Sequence, residues 1–261
     1  MVKIQYSAII PGAGKGSRLS HLPYSKELLP VGYSISKNNE KHPKTISAYL
    51  LDHFQRSGIR EVHFIIRKGK TDIAEYFESG NNWGVNISYH LTEVDFGVPF
   101  TIDQAYYFFH NKNILFGFPD ILFYPQNAFI QMKEYLNEHP DIDIVLGLFP
   151  VSEQQKWDTV LLKEKNRIER IRVKEGHNKN VKYAWIIAAW RPSFSDFLHD
   201  TIAGFKSNPE KIMNELFMGH VIQMAIDKGL KVNGLPFENG GCLDIGTPEG
   251  YIKAENFLQY M

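Results

Sequence analysis

Ile9-Ile10-Pro11-Gly12-Ala13-Gly14-Lys15-Gly16-Ser17-Arg18-Leu19, followed by Ser25-Lys26-Glu27-Leu28-Leu29-Pro30-Val31, is the stretch from which the fold is read. A short apolar strand runs into a loop with three glycines at alternating positions, and two cations, Arg18 and Lys26, stand just beyond it. Glycine admits positive φ and close backbone approach, so such a loop can wrap its N–H groups around phosphate oxygens. A helix starting near Ser17 would add its dipole to that anion site, although an ordinary strand-to-helix turn has the same composition. Two familiar phosphate loops fail on spacing. A Walker A loop needs Gly, four residues, then Gly-Lys-Ser/Thr, but Gly14-Lys15 is followed by Gly16 and preceded five positions earlier by Ile9. A dinucleotide fingerprint would require a third glycine where Ser17 stands.

The sequence outside this stretch sets limits. With 261 residues the chain can form one large domain or two small ones. Lys+Arg and Asp+Glu balance at 29 each, so no global field favours nucleic acid or an anionic membrane, and any phosphate binding must be local. The single cysteine, Cys242, excludes an internal disulfide and a cysteine-built zinc site; it reads as a small buried residue. A start that goes straight into a strand pattern, with no long apolar run, leads us to expect a cytoplasmic protein without a membrane span.

Downstream, apolar periodicity predicts a helix over 47–58, with Ala48, Leu50, Leu51 and Phe54 on one face and Gly58 at its C′ position. Residues 32–43 are polar and read as an exposed loop. Strands are expected at 61–66, 85–91, 113–118 and 142–149, alternating with helices at 70–77, 101–110 and 127–137. That alternation is the signature of an α/β protein with a mostly parallel central sheet of Rossmann-like kind and helices on both faces. From Thr159 the pattern changes to closely spaced strands, 159–162, 167–173 and 181–190. They predict a small antiparallel subsheet inserted at about 159–190, before helices at 193–205, 212–228 and 248–260. No linker divides the chain, so 1–261 reads as a single domain.

Ligands of open parallel sheets bind at the carboxyl ends of the strands. That rule selects the glycine loop, Asp120 after the strand 113–118, and Asp244 in Gly240-Gly241-Cys242-Leu243-Asp244-Ile245-Gly246-Thr247. Two aspartates beside a phosphate loop suit Mg²⁺, which takes few hard oxygen ligands and completes its shell with water; each aspartate also has a plain reading as a turn or cap residue. The histidines, His53, His90 and His110 among them, show no metal-ligand spacing and read as structural.

Three separated motifs, in order, resemble those of the sugar-phosphate nucleotidyltransferases (nucleotide-sugar pyrophosphorylases). They are Gly14-Lys15-Gly16-Ser17-Arg18-Leu19 with Ser25-Lys26-Glu27-Leu28-Leu29-Pro30-Val31, then Gly80-Asn81-Asn82-Trp83-Gly84-Val85-Asn86-Ile87-Ser88-Tyr89, then Leu243-Asp244-Ile245-Gly246-Thr247. The Ser-Lys-x-Leu-Leu-Pro-Val form and the Trp-Gly patch look most like the glucose-1-phosphate thymidylyltransferases. The resemblance implies a nucleotide-diphospho-sugar transferase-like fold and a Mg²⁺-dependent enzyme that transfers a nucleotide from a nucleoside triphosphate to a sugar-1-phosphate, releasing pyrophosphate. The default pair is dTTP and glucose-1-phosphate. Uridylyl or cytidylyl transfer to another phosphorylated acceptor is the alternative within the fold, and an inactive nucleotide-sugar-binding regulatory protein is the alternative outside enzymology.

Carried over position by position, the resemblance makes Arg18 and Lys26 the catalytic cations. Gly12, Ala13, Gly14, Lys15, Gly16 and Ser17 would hold the nucleotide, with Thr92 and Gly97 at the base. Lys174 and Trp190 would lie in the sugar-phosphate pocket, and Asp120 and Asp244 would hold Mg²⁺. The chain departs from the pattern at Phe118-Pro119-Asp120, where the family has Leu-Gly-Asp. It departs again at Arg172-Val173-Lys174, at Ala188-Ala189-Trp190, at Thr92, and at Gly97-Val98-Pro99-Phe100-Thr101. A retained phosphate apparatus with an altered pocket points to an altered acceptor or base. The extended 33–43 segment would cover the site, and a homo-oligomer is the family habit.

Overall fold

In a computed structural model of the chain, residues 5–19, 22–35, 38–93, 96–179, 181–208 and 215–261 are described. Strand β1 (Tyr6–Pro11) lies between two parallel neighbours, β4 (Glu61–Arg67) and β6 (Asn113–Gly117), and β5 (Asn86–Thr92) extends the parallel set beyond β4. Side chains alternate across these strands as the pleat requires. Ala8, Ile10 and Leu115 enter one buried cluster, while Ile9, Ile114 and Phe116 enter the other. Helices α1 (Ile46–Arg56), α2 (Thr71–Phe77) and α5 (Ala128–Glu138) supply Leu51, Phe54, Ile73, Phe129 and Met132 to the first face. The second is covered by α3 (Val98–Asp103), α4 (Tyr106–Phe109), α6 (Pro192–Ser207) and α7 (Met218–Asp227). The expected α/β sheet with helices on both faces is therefore present.

The rest of the sheet is built around β11 (Tyr183–Trp190). One edge pairs along its length with β8 (Ile144–Pro150), which pairs in turn, in parallel, with β12 (Val232–Pro236). The other edge is shared. Ile187 to Trp190 run antiparallel to β6, whereas Tyr183 and Ala184 pair with β9 (Asp158–Leu162), itself paired with β10 (Ile168–Val173). The sheet thus forks beside Trp185, where the β11–β8 register also shifts, and the strands after Thr159 continue the nine-stranded sheet. A bulge at such a point re-aims side chains.

Two short antiparallel pairs complete the frame. β7 (Ile121–Tyr124) and β13 (Gly241–Asp244), neither foreseen, pair Ile121 with Asp244. The segment expected to be an exposed loop at 32–43 is instead the hairpin β2 (Pro30–Ile35) and β3 (Lys41–Thr45). Its side chains are largely exposed, so its polarity mimicked a loop while its main chain found partners. The hairpin packs against α8 (Pro248–Leu258) and α1, and none of its described residues lines the cavity described below. Three helix expectations also change. Among the described residues no α-helix starts near Ser17, only the 3-10 turn Ser17–Leu19; the expected 101–110 helix divides into α3 and α4; and α7 begins at Met218, residues 209–214 lying outside the described set.

The glycine loop is anchored by a buried ion pair. Lys70 Nζ donates to both carboxylate oxygens of Glu27, at 2.7 and 2.8 Å, and to the carbonyl of Gly12 at 2.9 Å. Glu27 is 1% exposed and Lys70 7%. Burial pushes Lys70 down and Glu27 up, and each partner's charge opposes that push on the other. Around this pair, Ser47 Oγ donates to the Glu27 carbonyl and the Ser25 N–H and hydroxyl both donate to Asp72. One contact network therefore ties the loop after β1 to the Ser25–Leu29 turn and to α2. Lys70→Met leaves a buried carboxylate without its cation and is expected to cost about 3–5 kcal/mol in urea unfolding. A loss below about 1 kcal/mol would remove the pair from this anchoring role.

Candidate active site

Each glycine of the loop has its own physical reason. A Cβ on Gly12 would lie 2.4 Å from the Phe64 ring, and the Gly12 N–H donates to the Ile65 carbonyl at 2.7 Å, so this glycine is required by packing on β4. Gly16 has φ +68°, the left-handed region where glycine is favoured. Gly14 is different: a Cβ there would meet nothing within 4 Å. Among the described residues, no protein group accepts a hydrogen bond from the Gly14 or Gly16 N–H. The absent side chain at Gly14 leaves room over the cavity for a ligand to approach the backbone.

That cavity has a volume of about 600 Å³ and opens at the carboxyl ends of β1 and β6. Ala13, Gly14, Lys15 and Gly16 line it, with Arg18, Lys26, Asp120, Lys174, Asp244 and Gly97. Asp120 and Asp244, 124 positions apart in sequence, are brought together by the β7–β13 pair, and the Ile245 N–H donates to the Asp120 carbonyl. Asp120 Oδ2 and Asp244 Oδ1 stand 2.8 and 2.9 Å from where a Cβ on Gly246 would sit, so both carboxylates converge on one point that glycine keeps open. Lys26 Nζ pairs with Asp120 at 2.5 Å and Arg18 with Asp244 at 3.0 Å. Burial alone would raise Asp120, but the charge and hydrogen bond of Lys26, aided by Arg18, hold its carboxyl below the usual range. Burial would likewise lower Lys26, yet Asp120 and Glu27 keep it raised and charged. Pro119 lines the same cavity, where the family pattern has glycine.

Among the described residues no group of three His, Cys, Asp or Glu could hold a metal ion. The donor set is two converging carboxylates, which suits a hard cation taking its remaining oxygens from phosphates and water. Burial, reinforced by Asp244, pushes the Cys242 thiol up to about 12, so it stays protonated, packed against the first core face. His53 stacks on Phe123 at 4.1 Å, and burial pushes it down to about 4, which fits its structural reading.

Several predicted residues are placed elsewhere. Trp190 does not line the cavity. Because β11 runs antiparallel to β6, Trp190 pairs with Ile114 at the far end of the sheet, where it is fully buried and donates to Ser195 Oγ. The aromatic that β11 presents to the cavity is Trp185. Thr92 is buried at the end of β5 and does not line the cavity either. Gly97 does, with φ +107° and the Leu216 carbonyl 2.1 Å from where its Cβ would be. The Ser17 side chain lies outside the described set. Lys174 reaches the cavity from a left-handed backbone conformation, φ +49°, with its ammonium 3.8 Å from the centre of the Phe217 ring.

Asp158, Trp185, Phe217 and Met218 line this same part of the cavity, and the sequence reading did not single them out. Burial pushes Asp158 up to about 6, against the Lys174 charge, the main-chain N–H groups of Lys174 and Gly219, and the Trp185 indole. An acid raised in the folded state favours folding when protonated. Its contribution is therefore full below the unfolded value near 4 and is lost as pH rises through about 6. Thermal melts across that window should show the wild type losing stability relative to Asp158→Asn; parallel curves would contradict the shift.

The nucleotidyl transferase family profile matches residues 7–260. No curated protein sequence matches the chain. Among solved structures, a protein designated a glucose-1-phosphate thymidylyltransferase from Bacillus anthracis, in complex with sucrose, superposes with a TM-score of 0.81 at 18% identity, over 98% of this chain and 96% of its own. A UDP-glucose pyrophosphorylase complexed with UDP-glucose gives 0.74 at 18% identity, over 99% of each chain. An inositol-1-phosphate CTP transferase from T. maritima gives 0.71 at 17%, over 95% of this chain and 91% of its own. At these identities the likeness is one of fold; the profile match over nearly the whole length places this chain in the nucleotidyl transferase family.

Proposed function

We infer that the protein transfers a nucleoside monophosphate from a nucleoside triphosphate to a phosphorylated acceptor, releasing pyrophosphate. The observation that carries this reading is one cavity edge where open Gly14 and Gly16 N–H groups, Arg18, Lys26 and two converging carboxylates meet. An oxygen of the acceptor phosphate attacks the α-phosphorus. The bond from that phosphorus to the α–β bridging oxygen breaks, and its electron pair leaves with pyrophosphate. Such a step needs alignment and charge neutralisation rather than a nucleophilic side chain. The loop N–H groups and Lys15 hold the triphosphate, Arg18 meets charge on the departing pyrophosphate, and Lys26 faces the reacting phosphoryl group. Lys174 binds the acceptor phosphate, and Gly97 with Val98 and Thr101 bounds the space for the base. Asp120 and Asp244 would hold Mg²⁺, which supplies charge neutralisation at the phosphates.

A hydroxylated acceptor such as glucose-1-phosphate, with dTTP as donor, is the default. UTP and CTP are the alternatives, the structural neighbours being named for thymidylyl, uridyl and cytidyl donors alike. Pyrophosphate release should be measured with each common triphosphate against a panel of sugar and polyol phosphates, with and without Mg²⁺. One pair is expected to turn over, and only with the metal; release from no pair would favour a binding protein without turnover. Asp244→Ala should lower the rate by at least about 100-fold with the fold intact. Lys174→Ala should raise the acceptor KM or lower kcat while leaving the triphosphate KM in place, and an unchanged acceptor KM and kcat would remove it from the pocket.

A further inference from the structure

Away from the cavity, four titratable side chains meet where the last strand joins the sheet. β5 ends the nine-stranded sheet and pairs with one strand only, β4. His63 stands opposite Ser88 and Ile65 opposite His90, so the two histidines are diagonal neighbours on one face of that pair. His63 Nδ1 lies 3.0 Å from His90 Nε2. On the other side of the ring, His63 Nε2 lies 2.9 Å from Glu61 Oε1, and the same oxygen accepts from Lys112 Nζ at 2.5 Å. Helix α4 closes the cluster with Phe108, its ring centre 4.7 Å from that of His90, and Phe109, 6.0 Å from His63. His63 is 2% exposed and His90 is half-buried. Among the described residues, Glu61 and Lys112 are the charged groups that act on His63, and His63 is the group that acts on His90.

The partners fix the proton count. An ionised Glu61 accepts from the His63 Nε2–H, which leaves a lone pair on His63 Nδ1, and the His90 Nε2–H donates to it. Both rings are then neutral and satisfied. One added proton is accommodated, because either ring can carry it while an N–H still faces a lone pair across the contact, and Glu61 offsets a charge on His63. A second proton sets two N–H groups and two positive charges face to face beside Lys112. We propose that His63 and His90 are an acid-sensitive clasp, which holds β5 to β4 while it carries no more than one added proton and releases the strand on the second. Burial pushes both imidazoles below the ordinary histidine range, His90 to about 4. The stability such a group contributes is full above its unfolded value near 6.5 and is lost as pH falls towards the folded one. β5 ends at Thr92 and the chain returns at Gly97, the N-cap of α3, which lines the cavity, so release slackens that side of the cavity wall. The clasp is independent of the nucleotidyl-transfer reading above.

Amide hydrogen exchange of the full chain at pH 8 and pH 5, corrected for the intrinsic pH dependence of exchange, reads the clasp directly. With His90 at about 4 in the closed strand and 6.5 in the open one, linkage makes the opening constant of residues 86–92 about 30-fold larger at pH 5. Exchange in β6, at the centre of the sheet, should keep its corrected rate. His90→Gln offers His63 an amide N–H and, once that ring is protonated, an amide oxygen, while carrying no titratable group of its own. Its 86–92 exchange should therefore change by less than about threefold over the same range. A wild-type segment that opens equally at both pH values, a variant as acid-sensitive as the wild type, or an equal change in β6 would overturn the proposal. Should His90→Gln fail to fold, imidazole C–H NMR of the wild type decides the matter. Two linked protonation steps are expected, with His90 titrating near 4, and two independent titrations at the ordinary histidine value would contradict the clasp.

Discussion

The contact on which the arrangement depends is the buried bond set of Lys70 to Glu27 and to the Gly12 carbonyl. A loop with three glycines has little intrinsic preference for one shape, and its ordering entropy must be met by contacts from outside it. Phe64 and Ile65 press on Gly12 from β4, and Lys70, entering just before α2, takes the Gly12 carbonyl. The other arm of Lys70 holds Glu27, whose neighbour Lys26 is thereby directed at Asp120. A side chain with no place in the chemistry thus sets the positions of two groups that have one in our reading. Its cost is two buried charges, and the structure meets it by giving each a full set of partners.

The second constraint is topological. β11 is longer than either strand on its shared edge, so β6 and β9 divide it between them and part at Trp185. Continuous pairing there would have filled the fork with main-chain hydrogen bonds. The gap instead leaves Asp158 and Trp185 in the wall of the same cavity that the glycine loop lines from the parallel half of the sheet. In our reading, the groups for the triphosphate and those for the acceptor therefore come from two halves of one sheet, joined through β11.

Legibility in the sequence followed the range of the interactions. Strands β1, β4 and β6 and helices α1 and α5 have strong periodicity and form close to where the pattern puts them, because their burial depends on local spacing. The strand-end rule and the three motifs were enough to select Arg18, Lys26, Asp120 and Asp244, which do meet at one place. What failed depended on partners distant in sequence. The hairpin β2–β3 reads as loop because its outward side chains are polar and nothing in 32–43 announces its pairing. The resemblance puts Trp190 in the pocket, but the direction of β11 is invisible without its neighbours; antiparallel to β6, position 190 lies at the opposite end of the strand from position 185. Lys70 and Asp158 look like ordinary surface charges in sequence, and only the fold buries them. The alternation Asp158-Thr159-Val160 was a usable signal, since it sets Asp158 on the same face as a core valine.

In our reading the acceptor phosphate itself attacks the α-phosphorus held over the glycine loop. That step is tested most directly by following oxygen. With an acceptor whose non-bridging phosphate oxygens carry oxygen-18, phosphorus NMR of the products should show the label bridging the two phosphorus atoms of the nucleotide-linked product, and released pyrophosphate free of label. Label in the pyrophosphate, or a product whose bridge carries none, would contradict it.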